Sequence, residues 1–252
     1  MSVFSLANDT SNQYKLKGVD VNIGGILYDY DDRTVPFFAR AITPMQKKSD
    51  YDYNKAKTDN TSIIPVKIGL NIVFGNNQRN FKYIINKHEF LFRFTFETLQ
   101  DRANVSTKDI HRVSLGNNLS MSYTYQSQTF GLGYQLASKP FLKNLACFIG
   151  VHTDFGMLAL KQISAIPSRY DYYDDYYEIP NFYTSIFRGT ANLGIKYNFS
   201  CDINFFFQSE FTFLRYGKEI ETNAQGLGAS FGIRYKFLED QDKLRYNKSG
   251  FW

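Results

Sequence analysis

Apolar and polar residues change places at every second position along most of this chain. In "HEFLFRFTFETLQ" (88–100), Phe90, Phe92, Phe94 and Phe96 share one parity, and Leu91, Arg93, Thr95 and Glu97 take the other. A period of two marks a β-strand with two unlike faces. Seven further segments repeat it. "GVDVNIGGILYDY" sets Val19, Val21, Ile23 and Leu27 against Asp20, Asn22 and Gly24. "IIPVKIGLNIVFG" sets Ile64, Val66, Ile68, Leu70, Ile72 and Phe74 against Lys67, Gly69 and Asn71. "FGLGYQL" opposes Phe130, Leu132, Tyr134 and Leu136 to Gly131, Gly133 and Gln135. "LACFIGVHTDFGM" opposes Cys147, Ile149, Val151 and Phe155 to His152, Asp154 and Gly156. The last three, "IFRGTANLGIKYNF", "INFFFQSEFTFLRY" and "LGASFGIRYKF", carry Arg188, Thr190, Asn192, Glu210 and Arg234 opposite rows of Phe, Leu and Ile.

The connections alternate in length. Those after the second, fourth and sixth segments are the shorter ones, near 76–85, 137–144 and 200–202. Those after the first, third and fifth run near 31–61, 101–126 and 161–183. Short turns at one end and long loops at the other are expected of an antiparallel transmembrane barrel with periplasmic turns and extracellular loops. An even strand number puts both termini on the periplasmic side. The expected fold is therefore all-β, a closed antiparallel barrel of eight strands over residues 14–237. It lies between a 1–13 N-terminal segment and a 238–252 tail, both periplasmic. Residues 112–125 also alternate, with the parity flipping near Gln128. They either extend the fourth strand through a bulge or form an extra hairpin, which would make ten strands.

Composition selects the solvent. Of 252 residues 24 are Phe and 19 Tyr, and charged residues make up 21%. This is not the composition of a disordered chain. No stretch reaches the roughly 20 consecutive apolar residues of a spanning helix. The interior of a small barrel has no room for so many rings, so the rings point outward and the Gly, Ser, Thr, Asn and charged positions inward. Only hydrocarbon tolerates that arrangement, and a closed barrel pairs every backbone group within it. Tyr28, Tyr134, Tyr197 and Tyr235 stand near strand ends, where an apolar ring with a wet hydroxyl suits the interface. The net charge of +5 comes from scattered Lys and Arg rather than a basic stripe, which speaks against nucleic acid as a partner. "MSVFSLANDTSNQ" reads either as the remnant of a secretory signal or as a disordered tail.

The pattern resembles the small eight-stranded outer-membrane barrels, the class of the OmpA transmembrane domain, OmpX and PagP. "FGIRYKF", ending at Phe237, resembles the C-terminal signal read by the barrel-assembly machinery, although "LEDQDKLRYNKSGFW" follows it. The richness in Tyr, Asn and Lys is similar to that of barrels from Bacteroidota. The resemblance implies the outer membrane of a Gram-negative bacterium, contact with its lipid and lipopolysaccharide, and a protein complex there as a possible partner. It also raises lipid A modification or a narrow pore as alternatives to a non-enzymatic anchor, scaffold or accessory subunit.

Candidate chemistry falls into three groups. Lys67, Arg93, Glu97, His152, Asp154, Arg188 and Glu210 share the inward parity and form an expected polar lumen. Within it Arg93 is expected to reach Glu210 and help close the barrel to ions. His152 and Asp154 lack a serine in a recognisable motif, so no catalytic residue is assigned. The loop run Tyr170, Asp171, Tyr172, Tyr173, Asp174, Asp175, Tyr176 and Tyr177 suits a protein or glycan contact. It lacks the ligand order of a calcium loop, so neither metal nor cofactor is expected. Cys147 and Cys201, the only cysteines, either form a disulfide near the periplasmic rim or stay unlinked.

Overall fold

The computed structural model describes residues 14–30, 38–41, 51–58, 66–76, 85–107, 118–142, 144–166, 182–216 and 222–237. It contains β1 (Lys15–Tyr30), β2 (Tyr51–Thr58), β3 (Val66–Asn76), β4 (Ile85–Thr107), β5 (Asn118–Ser138), β6 (Leu145–Ile166), β7 (Phe182–Asn198), β8 (Ile203–Tyr216) and β9 (Thr222–Lys236). The order β3-β1-β9-β8-β7-β6-β5-β4 closes on itself through β3–β4 and β4–β5, every pair antiparallel. Eight strands make the ring. β2 stands outside it, bonded to the upper part of β4 above the end of β3.

The register fixes the geometry. Starting at Val66, one row of partners runs through Gly25, Ala229, Ser209, Leu193, Ile149, Leu136 and His88. It returns to β3 at Asn76, ten residues beyond its origin. Closing eight strands with such a stagger tilts each of them by about 35–45° and leaves an interior that side chains can fill.

Alternation then sorts the side chains. Leu227, Phe130, Phe155, Leu193 and Leu132 stand out from the wall, the first two at 69% and 66% exposure, while Asp154, Glu97, Thr95 and Arg188 inside are fully buried. The outward apolar row from Phe187 to Tyr197 on β7 spans about 25 Å along the barrel axis, the height of a hydrocarbon band. Continuous apolar surface of this extent does not occur on soluble monomers. The barrel crosses a bilayer.

The segment 112–125 resolves in favour of extension, from Asn118 onward, and the ten-strand alternative is not realised. The bulge lies across the pair, on β6, where Ile163 is skipped between Ser122↔Ser164 and Tyr123↔Gln162. The parity flip has another cause. Tyr123 and Tyr125 point inward just as Ser127 and Thr129 do, but the interior changes from polar to apolar at this height. There Leu99, Tyr123, Tyr125, Leu158, Leu160, Ile186, Leu214 and Ala224 enclose Phe38, Ala39 and Ala41 of a single helical turn at 38–41. Phe38 meets Tyr123 and Tyr125 edge-on, with ring centroids 6.1 and 6.2 Å apart. The long loops expected at 101–126 and 161–183 are correspondingly shorter, since β4, β5 and β6 reach to Thr107, from Asn118 and to Ile166. The N-terminal segment 1–13 and the tail 238–252 lie outside the described residues.

Leu193→Arg, on the lipid face near the middle of the band, should lower the stability of the bilayer-inserted protein by about 2–4 kcal/mol in urea unfolding. The same change at exposed Lys139, beyond the end of β5, should have no measurable effect.

Candidate functional site: the lumen network

Ten charged side chains are buried among the described residues. Asp20, Glu89, Glu97, Asp154 and Glu210 balance Lys67, Arg93, Arg188, Lys196 and Arg234. All lie on inward parity, and they group at three heights.

Nearest the short turns, Arg234 forms a fork with Asp20, Nε to Oδ1 at 2.5 Å and Nη2 to Oδ2 at 2.8 Å. Its Nη1 donates to both oxygens of Glu89 at 2.7 Å, and Lys196 Nζ reaches Glu89 at 3.4 Å. A planar guanidinium between two carboxylates is the arrangement Arg serves best. Phe148, Phe206 and Ala137 form a small apolar floor beside it, with Lys196 5.6 Å from the Phe148 ring centre.

At mid-height a chain of bonds runs from β6 to β9. His152 Nε2 donates to Asn192 Oδ1 (3.0 Å), Asn192 Nδ2 to Gln208 Oε1 (2.8 Å), and Gln208 Nε2 to Glu210 Oε1 (2.6 Å). Ser230 Oγ donates to the same oxygen at 3.0 Å, and Lys67 Nζ bonds Glu210 Oε2. Above it, Arg188 bonds Glu97, and its Nη2 also donates to Ser127 Oγ at 3.3 Å. Asp154 faces Arg188 in register.

The residues expected in the lumen are thus all there, but Glu210 takes Lys67 rather than Arg93 as its partner. The stagger is the reason. Positions counted equally from the ends of opposite strands do not share a height once each strand is shifted against its neighbour. Arg93 Nε and Nη1 and both Asp154 oxygens have no hydrogen-bond partner among the described residues. The two residues are joined by one cross-strand row, Arg93↔Gly131↔Asp154, in a polar lumen of the kind that internal water completes. Gly131 and Gly133 matter here for space. A Cβ at Gly131 would overlap the Asp154 carboxylate and the Thr153 carbonyl, and one at Gly133 would overlap the His152 ring. Asp20, Glu89, Lys196, Gln208 and Arg234 lie on the same inward parity but outside the network expected from the sequence. Taking every polar residue of inward parity would have found them.

His152 and Asp154 share a face, yet neither Asp154 oxygen bonds the imidazole. The orienting contact that a hydrolytic triad needs is not made. Among the described residues no group of three or more His, Cys, Asp and Glu could hold a metal. The two thiols are free. Cys147 lies opposite Ile195 on β7, six positions before Cys201 in the following turn. The run 170–177 lies outside the described residues.

A barrel with an apolar exterior, a charged interior and short turns at the end where both termini emerge has the architecture of outer-membrane proteins of Gram-negative bacteria. No family model matches the chain, and no curated protein is similar to it. Among solved structures it overlaps Neisserial surface protein A (NspA) at 7% identity and a TM-score of 0.41, covering 89% of this chain and 99% of that one. It overlaps Ail, the attachment invasion locus protein of Yersinia pestis, at 10% identity and 0.36, covering 88% and 100%. The N-terminal β-barrel domain of Pseudomonas aeruginosa OprF gives 11% and 0.31, covering 87% and 99%. Overlaps this loose carry no functional argument.

Glu210→Gln should destabilise the barrel by about 3–5 kcal/mol, because it leaves the Lys67 ammonium buried without its counter-charge. Lys67→Met in the same chain should restore part of that loss. Thermal unfolding in detergent, read as heat-modifiable gel mobility, checks both.

Proposed function

We propose that the protein is a non-conducting, non-enzymatic outer-membrane anchor that holds a contact surface for a protein or glycan partner outside the cell. The supporting observation is the filled lumen. Three levels of paired charge occupy the interior, and the aromatic and aliphatic cap around Phe38 closes it above. A path for ions would have to break buried pairs at each level, at a cost of several kcal/mol apiece. The wall also rises unevenly, with 23, 21 and 22 residues in β4, β5 and β6 against 11 in β3. This raised side is widened by β2, and its strands end where the sequence continues into 108–117 and 167–181. The second of these contains the tyrosine and aspartate run. Tyrosine brings large, rigid, amphipathic area to a contact at little entropic cost, and the interspersed carboxylates favour a partner with basic groups.

Two measurements test this reading. Planar-bilayer recording should show no stable conductance above baseline, and a steady open channel would make the protein a pore. A photo-reactive residue in place of Tyr173, illuminated on intact cells, should cross-link a surface partner. The adduct should disappear when Tyr170, Tyr172, Tyr176 and Tyr177 become Ser in a barrel that still folds. Persistence of the adduct in that variant would remove the loop from the contact.

A further inference from the structure

Between the Arg234 fork and the middle chain of bonds lies a small cavity of about 10 Å³, room for one occupant of roughly the size of a water molecule. Asn71 on β3, Arg93 on β4 and Gln135 on β5 line one side of it, with Asn71 and Arg93 directly opposite in register. His152, Asn192 and Gln208 line another side, already bonded in series. Leu91, Phe148 and Phe206 supply its apolar edges. Arg93 is only 5% exposed, and its Nε and Nη1 have no partner among the described residues.

The charge around this cavity does not cancel. From the short turns up to the middle level, buried Lys67, Arg93, Lys196 and Arg234 stand against Asp20, Glu89 and Glu210, four bases to three acids. Each of those acids is taken: Asp20 and Glu89 by Arg234 and Lys196, Glu210 by Lys67. The excess is therefore that of Arg93. Asp154, the acid that balances it across the whole interior, faces Arg188 in register, and neither of its oxygens bonds the Arg93 guanidinium. A buried lysine or carboxylate can shed its charge by exchanging a proton, but a guanidinium cannot. Water would satisfy its N–H groups and leave its charge uncompensated. The approach from the periplasm has the same sign. Lys17 lies over Gly75, Lys87 opposite Ala137 and Lys236 opposite Gly18, all at the lumen mouth, with Asp202 beside Lys236. We propose that the cavity is a binding site for a single small monovalent anion such as chloride, held by the guanidinium of Arg93 and the side-chain amides of Asn71 and Gln135. Its size rejects sulfate and phosphate, and its charge rejects cations. Glu210, Asp154 and Glu97 carry the opposite sign beyond it, so the anion rests at the end of its path rather than on the way through a channel.

The site concerns the lumen alone and does not depend on the partner proposed for the extracellular side. Full-length protein in mild detergent, crystallised with sodium bromide, should show one anomalous peak beside Arg93 Nε and Nη1, and none there in Arg93→Met. Unfolding rates, read as heat-modifiable gel mobility at fixed ionic strength, supply the second measurement. The wild type should unfold about tenfold more slowly in chloride or bromide than in gluconate, whereas Arg93→Met should unfold at one rate in all three. Asn71→Leu and, independently, Gln135→Leu keep the guanidinium, and each should raise the bromide concentration needed for half-maximal protection by about tenfold. These two variants decide the matter if Arg93→Met does not fold. Equal wild-type rates in chloride and gluconate would overturn the site. So would a bromide peak confined to the lysines of the mouth, a water molecule in the cavity of bromide-grown crystals, or protection that ignores both amides.

Discussion

In hydrocarbon no water is available to bond a backbone amide or carbonyl, so the sheet must end where it begins. Everything else in this barrel follows from that closure. Eight strands with a stagger of ten residues enclose a space only as wide as the side chains that fill it. Whatever points inward must therefore find its partner across a few ångströms, because there is no bulk solvent to fall back on. Arg234 between Asp20 and Glu89, Lys67 on Glu210 and Arg188 on Glu97 are solutions of the same problem at successive heights. The five buried acids and five buried bases balance across the described interior rather than within each level. Arg93 and Asp154 carry the residual charges of their levels and stand in one row across Gly131.

The glycines are part of that fit. Large inward groups on one strand lie over inward glycines on the next: His152 over Gly133, Asp154 over Gly131, Phe206 over Gly232 and Ile26 over Gly228. A side chain at any of these positions would meet the group already there. The lumen is thus packed by pairing volume with its absence on adjacent strands, which is how a narrow barrel accommodates arginines and rings without widening.

Above the band the same strands change their chemistry without changing their direction. Leu99, Tyr123, Leu158, Ile186 and Leu214 continue the inward rows begun by Glu97, Ser127, Asp154, Arg188 and Thr212, and they bury the turn at 38–41. Where lipid no longer surrounds the wall, the exterior is wet and the interior becomes an ordinary apolar core. This upper core gives the extracellular end a rigid base.

Much of this was legible in the chain. A period of two reports which residues share a face, and eight such segments rich in outward Phe, Leu and Ile require lipid outside and polar groups inside whatever their partners are. The membrane barrel and the inward placement of Arg93, His152, Arg188 and Glu210 follow from parity alone. Parity does not report height. The partner of Glu210 depended on the stagger, a property of the closed ring that no single strand carries, so an equal count along opposite strands pointed to Arg93 where the register brings Lys67. The flip near Gln128 had a similar limit, because alternation cannot tell a bulged strand from one that passes from lipid into water. That decision belongs to the cap around Phe38, a residue from a distant loop, and only the tertiary structure brings it to Tyr123 and Tyr125.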